Sequence, residues 1–356
     1  MLSRRQTLKT GASALAALTG LIAPKAFGAR SGEPVPFGAA VRPDLLYTDL
    51  DYTDALRRYC GIIVPEGGML WNDLRPNQAT YDFQNADKVA AFAAGNHLKL
   101  RGHTLVWYGV MPPWTESLSS KSTARDELLK HIDTVAGRYR TRMDSWVVVN
   151  EPLIDKAVNF DDLRPTIWQR MIGIDHLAMA FEAAHTADPS AKLIINEYDI
   201  EYVGDRYRNR RLALTALVRM LVDRKVPIHG VGIQGHLVAN LEIDVEGLRQ
   251  FAKDMKALGL TISVTELDVI DNLLPADLAQ RDRRVSQCAE AFLAALNEVD
   301  PIDSLLTWGI TDKYTWVPIY YKRADGLKNR PLPLTDQYAP KPLMTTIAQF
   351  SNVTGL

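Results

Sequence analysis

The sequence predicts an α/β fold, a (β/α)8 TIM barrel in a single domain, on two observations. Eight short β-rich runs alternate with amphipathic helical stretches along the chain, the order of a sheet wrapped in helices. Six of those runs end in polar or aromatic residues: His103, Asn150-Glu151, Asn196-Glu197, Gln234 with His236, Glu266 with Asp268, and Trp308. In such a barrel the C-terminal ends of the strands converge on one face. Six separated segments would therefore meet at one cleft.

Strands are expected over 37–41, 61–65, 98–104, 145–150, 192–197, 230–234, 261–266 and 304–308. Most are continuously apolar rather than alternating, as parallel strands covered on both sides must be. Helical patterns fall at 124–138, 168–186, 207–224, 245–258 and 281–298. No linker, internal repeat or composition break interrupts the chain after residue 36. A doubly wound open sheet is the competing architecture, but no phosphate-binding glycine fingerprint follows the first strand.

Residues 1–28 are expected to lie outside this fold. Arg4 and Arg5 precede an apolar run through Ile22 and then Ala26-Phe27-Gly28, the make-up of a secretory signal of the twin-arginine type. The mature chain, 29–356, is then expected in the periplasm or outside the cell. Removing residues 1–28 takes away Arg4, Arg5, Lys9 and Lys25 and no acid, so the net charge moves from −1 to −5. A mildly acidic chain has no electrostatic footprint for nucleic acid or for anionic lipid. The expected partner is a neutral β-linked polysaccharide or oligosaccharide, met by a monomer. Cys60 and Cys288 are the only cysteines, so no disulfide framework supports the fold; two buried thiols are expected, with a bridge as the alternative.

Two buried runs end in carboxylates: Val147-Val148-Val149-Asn150-Glu151 and Ile262-Ser263-Val264-Thr265-Glu266. Cutting a glycosidic bond with retention needs two carboxyls ~5–5.5 Å apart, one protonated acid and one ionised nucleophile. Glu266 and Asp268 lie two apart and so point to the same side of an extended strand. Gln234 and His236 repeat that spacing on the preceding strand, and a histidine between two carboxylates can keep a nucleophile oriented and charged. That assigns Glu266 as nucleophile, Glu151 as acid/base, and Asn150 as a partner for a sugar hydroxyl. Trp71, Trp107, Tyr108, Tyr198, Trp308 and Trp316 stand at or just past strand ends, where flat rings can stack on pyranose faces; His103 joins them as a substrate contact. His103, His229 and His236 lack the spacing of a metal site, and no G-x-S-x-G elbow is present. Neither metal nor cofactor is expected.

In this order the motifs resemble glycoside hydrolase family 10, best known as endo-1,4-β-xylanases. The resemblance runs from Arg101-Gly102-His103-Thr104-Leu105-Val106-Trp107 through Asn150-Glu151, Asn196-Glu197-Tyr198 and Gly230–Leu237 to Thr265-Glu266-Leu267-Asp268, Trp308 to Trp316 and Tyr338–Pro342. It implies a retaining barrel hydrolase with Glu151 as acid/base and Glu266 as nucleophile. Departures are concentrated in one place. Where the family usually has Glu-Asn-x-Met-Lys-Trp, this chain has Glu66-Gly67-Gly68-Met69-Leu70-Trp71, and the family's Trp-His-x-Gln reads Trp107-Tyr108-Gly109-Val110. Four polar groups expected on the non-reducing side of the cut are missing together. The alternatives are hydrolysis of another or a decorated β-linked glycan, such as an exopolysaccharide, and carbohydrate binding without turnover.

Overall fold

The computed structural model describes residues 34–353, so the expected signal segment lies outside the described residues. Its strands are β1 (Phe37–Val41), β2 (Ile62–Pro65), β3 (Lys99–Val106), β4 (Ser145–Asn150), β5 (Lys192–Glu197), β6 (Gly230–Ile233), β7 (His236–Val238), β8 (Thr261–Ile270) and β9 (Leu305–Thr307). Every neighbouring pair is parallel. The sheet closes because β1 pairs with both β2 and β9, while β6 pairs with both β5 and β8. The strands β6 and β7 are two pieces of one barrel stave, both laid on β8 and separated at Gln234-Gly235. Eight staves result, as the alternation predicts.

Helices of the outer ring follow the strands: Leu50–Tyr59, Gln84–Gly95, Lys121–Arg138, Asp175–Ala187, Asp205–Asp223, Val245–Ala257, Leu278–Asn297 and Pro342–Gln349. Their starts are written locally. Asp49 accepts from Tyr52 N, Ser120 from Thr123 N, Asp244 from Gly247 N and Asp277 from Gln280 N, satisfying backbone donors that the first helical turn leaves free. One expected element differs. The pattern over 168–186 is broken into Ile167–Ile172 and Asp175–Ala187 by Gly173, whose φ of 83° ends the first helix in the left-handed region; glycine alone adopts that conformation at no steric cost.

The main apolar core lies between sheet and helices, while Ala40, Ile62, Val64 and Leu306 fill the barrel interior beneath Trp308. Below them Arg101 is buried and donates to Ser145 Oγ (2.9 Å) and Ser304 Oγ (2.8 Å), tying three staves together at the floor. Cys60 and Cys288 are free and buried, Cys60 capping the first helix rather than lying within it. Among the described residues no helix is long and apolar enough to cross a membrane.

Candidate active site

The barrel delivers its polar strand ends to one open cleft of about 660 Å3, lined by Glu151, Glu266, His103, Gln234 and His236 together with Trp107, Tyr108, Tyr198, Trp308 and Trp316. Two carboxylates hold its floor. Glu266 sits inside β8 with its carboxyl nearly buried, and Glu151 follows the last residue of β4. Glu151 has φ +52°, an uncommon left-handed turn for a residue with a side chain. Its N–H donates to Asn196 O (2.8 Å), which fixes that turn to the next stave.

Around Glu266 the donors are arranged to keep it ionised. Asn196 Nδ2 donates to Oε1 at 2.7 Å, and His236 Nε2 lies 3.2 Å from Oε2. The other ring nitrogen of His236 is 3.0 Å from Asp268 Oδ2, which also accepts from Trp316 Nε1 at 2.8 Å. Burial alone would push the imidazole pKa down; the Asp268 carboxylate, with Glu266, holds it well above the ordinary histidine value. Burial would likewise push Glu266 up, but the hydrogen bond and charge of His236 and the Asn196 amide outweigh it and hold the carboxyl below its ordinary value. His236 thus bridges the side chains of Glu266 and Asp268. Asn196 is oriented in turn by Thr265, whose hydroxyl donates to its Oδ1 at 2.7 Å. Gly232 makes room for that amide, since a Cβ there would stand 2.2 Å from Asn196 Oδ1.

Around Glu151 the donors come from three staves. Trp107 Nε1 donates to Oε2 at 3.0 Å, Gln234 Nε2 to Oε1 at 2.8 Å and Asn150 Nδ2 to Oε1 at 3.2 Å. Asn150 is nearly buried, and its Oδ1 accepts from Asn196 Nδ2 at 2.8 Å. A continuous chain of amides therefore links one carboxylate to the other, Glu151–Asn150–Asn196–Glu266. Such a network fixes both side chains without spending their charge. Burial pushes the His103 pKa down, leaving a neutral ring edge-on to Trp308.

The aromatic residues divide. Trp308 and Trp316 stand half-buried in the cleft, with Trp316 flanked by Tyr320 and Tyr321. Tyr198 lines it too, though its hydroxyl donates to Asp155 Oδ1 (2.7 Å) and Arg210 covers its ring at 4.4 Å. Trp71 does not reach the cleft, and its expected role as a substrate contact is corrected. It is buried, donates to Leu105 O at 2.7 Å and stacks on His131 with ring centres 3.6 Å apart. Leu70 and Trp71 are neighbours on opposite sides of a helical start, and the cleft receives Leu70.

Several residues in or behind the cleft were not singled out by the sequence. Asn196 was visible as a strand end but not as the link between carboxylates. Arg164 lies on a loop 13 residues past Glu151 and donates back to the Glu151 carbonyl; no local pattern marks such a contact. Asp155, Asp199, Arg206, Tyr320 and Tyr321 line the same cleft. So does Glu66, whose carboxyl burial pushes up to about 7, the Arg42 guanidinium only partly opposing it. Among the described residues no group of three or more His, Cys, Asp or Glu side chains is placed to hold a metal ion.

Paired carboxylates at the strand ends of a (β/α)8 barrel, under an aromatic cleft, define a glycoside hydrolase. The chain belongs to glycosyl hydrolase family 10, whose family model matches residues 28–350. Endo-1,4-beta-xylanase B of Paenibacillus barcinonensis is 32% identical over 85% of this chain and 92% of its own length. Endo-1,4-beta-xylanase A of Thermoanaerobacterium saccharolyticum is 35% identical over 79% of this chain, which spans 24% of that longer relative. The crystal structure of xylanase 10B from Thermotoga petrophila in complex with xylobiose superposes with a TM-score of 0.80 at 28% identity, covering 89% of this chain and 94% of that one.

Proposed function

We propose that the chain is a retaining endo-β-1,4-xylanase in which Glu266 is the nucleophile and Glu151 the general acid and base. The observation that carries this reading is the difference between the two carboxylates. Glu266 is buried against protonated His236 and held ionised, while Glu151 faces the cleft with Trp107, Gln234 and Asn150 fixing its oxygens. Glu266 attacks the anomeric carbon as the bond to the leaving oxygen breaks, and Glu151 gives that oxygen its proton. A glycosyl ester on Glu266 results. Glu151, now a carboxylate, takes a proton from water; the water attacks the same carbon, frees Glu266 and restores the β-anomer. The xylanase names of the relatives support xylan as the backbone.

The wall formed by Glu66, Leu70 and Val110 favours a refinement, that a substituted β-1,4 chain is cut better than a plain one. Export through the segment 1–28 and action as a monomer belong to the same reading. A hydrolysis screen over linear xylan, substituted xylans, β-glucans and exopolysaccharides, with NMR of the first product, tests it. A β-anomeric product from a xylan is expected; an α-product, or no cleavage of any β-1,4 glycan, would overturn it. Cell fractionation and a sedimentation mass test export and the monomer.

A further inference from the structure

Arg164 makes contacts that none of the steps above uses. Its Nε donates to the main-chain carbonyl of Glu151 at 3.1 Å, and its Nη2 to Asp155 Oδ1 at 2.8 Å and to the Tyr198 hydroxyl. Its guanidinium lies flat against the Tyr108 ring, 4.2 Å from the centroid. The Tyr108 ring stands edge-on to Trp107 with centres 5.7 Å apart, and Trp107 Nε1 donates to Glu151 Oε2 at 3.0 Å. One guanidinium therefore reaches Glu151 from behind, through its strained main chain, and from the side, through a ring packed on the indole that donates to its carboxyl. A planar fork that can hydrogen-bond at its edge and stack on its face is peculiar to arginine. Tyr108 is also a residue at which this chain departs from its family's usual histidine, so the side contact belongs to this protein.

We propose that Arg164 and Tyr108 are positioning residues for the acid/base, holding the Glu151 carboxyl on the leaving oxygen through its main chain and through the Trp107 indole that donates to it. This rests on the reading of Glu151 as acid/base. Proton transfer requires heavy atoms within about 2.6–3.2 Å, and a left-handed residue on an open loop would otherwise relax away from that geometry. The groups facing Glu151 are His103 on β3, Asn150 on β4, Gln234 at the β6–β7 break, Glu266 on β8, and the Arg164, Asp155, Tyr198 and Glu197 cluster behind it. Trp107 faces the carboxyl as well, and Tyr108 joins Arg164 to it.

The test uses the full chain and two kinds of substrate. Arg164→Met and Arg164→Lys should lose roughly tenfold to a hundredfold on xylo-oligosaccharides, no more than the lower end of the 10²–10⁴ that a general acid contributes. On a 2,4-dinitrophenyl β-glycoside, whose leaving group needs no proton, the loss in the glycosylation step should stay within about threefold. Tyr108→Leu, which removes the ring between Arg164 and Trp107, should lose activity on xylo-oligosaccharides by a smaller factor while the dinitrophenyl glycoside is again spared. Glu151→Ala serves as reference. If it shows no dependence on leaving group, the acid/base reading itself fails. If Glu151→Ala shows that dependence while Arg164→Met and Tyr108→Leu each lose both substrates equally, the positioning role is overturned.

Discussion

The floor of the cleft and its β2 wall are built on opposite principles. On the floor nearly every polar atom is committed: Glu151 has three side-chain donors on its two oxygens, Glu266 has two, and the amides of Asn150 and Asn196 join them. On the wall, Glu66 shares the cleft with Leu70 and Val110, and burial leaves its carboxyl near neutrality in pKa rather than ionised by a partner. A preorganised polar floor suits chemistry, because charge develops there and donors already in place cost no reorganisation. A wall without committed partners can hold a sugar only by what the sugar itself brings. On the proposed reading, turnover and substrate choice are lodged in separate parts of one cleft and can be altered separately.

The comparison breaks most simply at the floor. Glu266→Gln keeps shape but cannot form the glycosyl ester, so turnover should fall by several orders of magnitude on every substrate. Glu151→Ala should lose about 10²–10⁴ on natural glycosidic bonds and recover on activated glycosides when azide is added, since azide needs no base. Single-turnover kinetics on both substrate types reads this out. Equal and small losses for both variants would move the chemistry elsewhere.

A smaller effect concerns pH. Glu266 must be ionised to attack, and its depressed pKa keeps it so as pH falls; activity is lost as pH drops through that value. His236→Ala removes the hydrogen bond and positive charge that hold the value down while burial continues to push it up. The acidic limb of kcat/KM should therefore move to higher pH, with the basic limb shifting less. The two limbs belong to a coupled pair and are compared as profiles. A profile that keeps its acidic limb in the variant would take His236 out of the machinery.

How much of this was legible in the sequence follows from where each signal resides. The staves were legible because runs such as Val147-Val148-Val149 and Leu193–Ile195 are buried on both faces and apolar throughout. Glu151 and Glu266 were legible because a carboxylate closing or interrupting such a run has few structural uses. The pairing of His236 with Glu266 and Asp268 followed from two-residue spacing on adjacent staves. Trp71 misled because a position just past a strand does not say which way the next turn faces, and its indole found Leu105 O in the core. The helix expected over 168–186 was interrupted because Gly173 carries no apolar signal either way. Arg164 and Glu66 were silent for a different reason. Each acquires meaning only from tertiary neighbours, or from a neighbour that is missing.

The smallest expected effect sharpens the wall. Gly67 and Leu70 stand where the family usually has asparagine and lysine, and each hydrogen bond lost to a sugar costs ~1–3 kcal/mol when it is charged or buried. Plain linear xylan should accordingly be bound weakly on that side, and a substituted chain should be cut better. Space permits the reverse change, since a Cβ at Gly67 would meet only Asp73 Oδ2, at 3.7 Å. Leu70→Lys places an ammonium on the same wall as Glu66, lowering the pKa of that carboxyl from about 7 so that it is ionised at neutral pH. Gly67→Asn with Leu70→Lys should then raise kcat/KM on linear xylo-oligosaccharides by about tenfold, roughly 1.4 kcal/mol, and lower it on substituted ones. Single changes should give less than their share, because neighbouring contacts couple. Position 108 is left as tyrosine in this design, since its ring rests on Arg164 rather than on the β2 wall. Steady-state kinetics on both substrate sets decides the matter. If the natural chain already cuts linear xylo-oligosaccharides as well as the double variant does, the wall carries no specificity and its apolar residues are neutral.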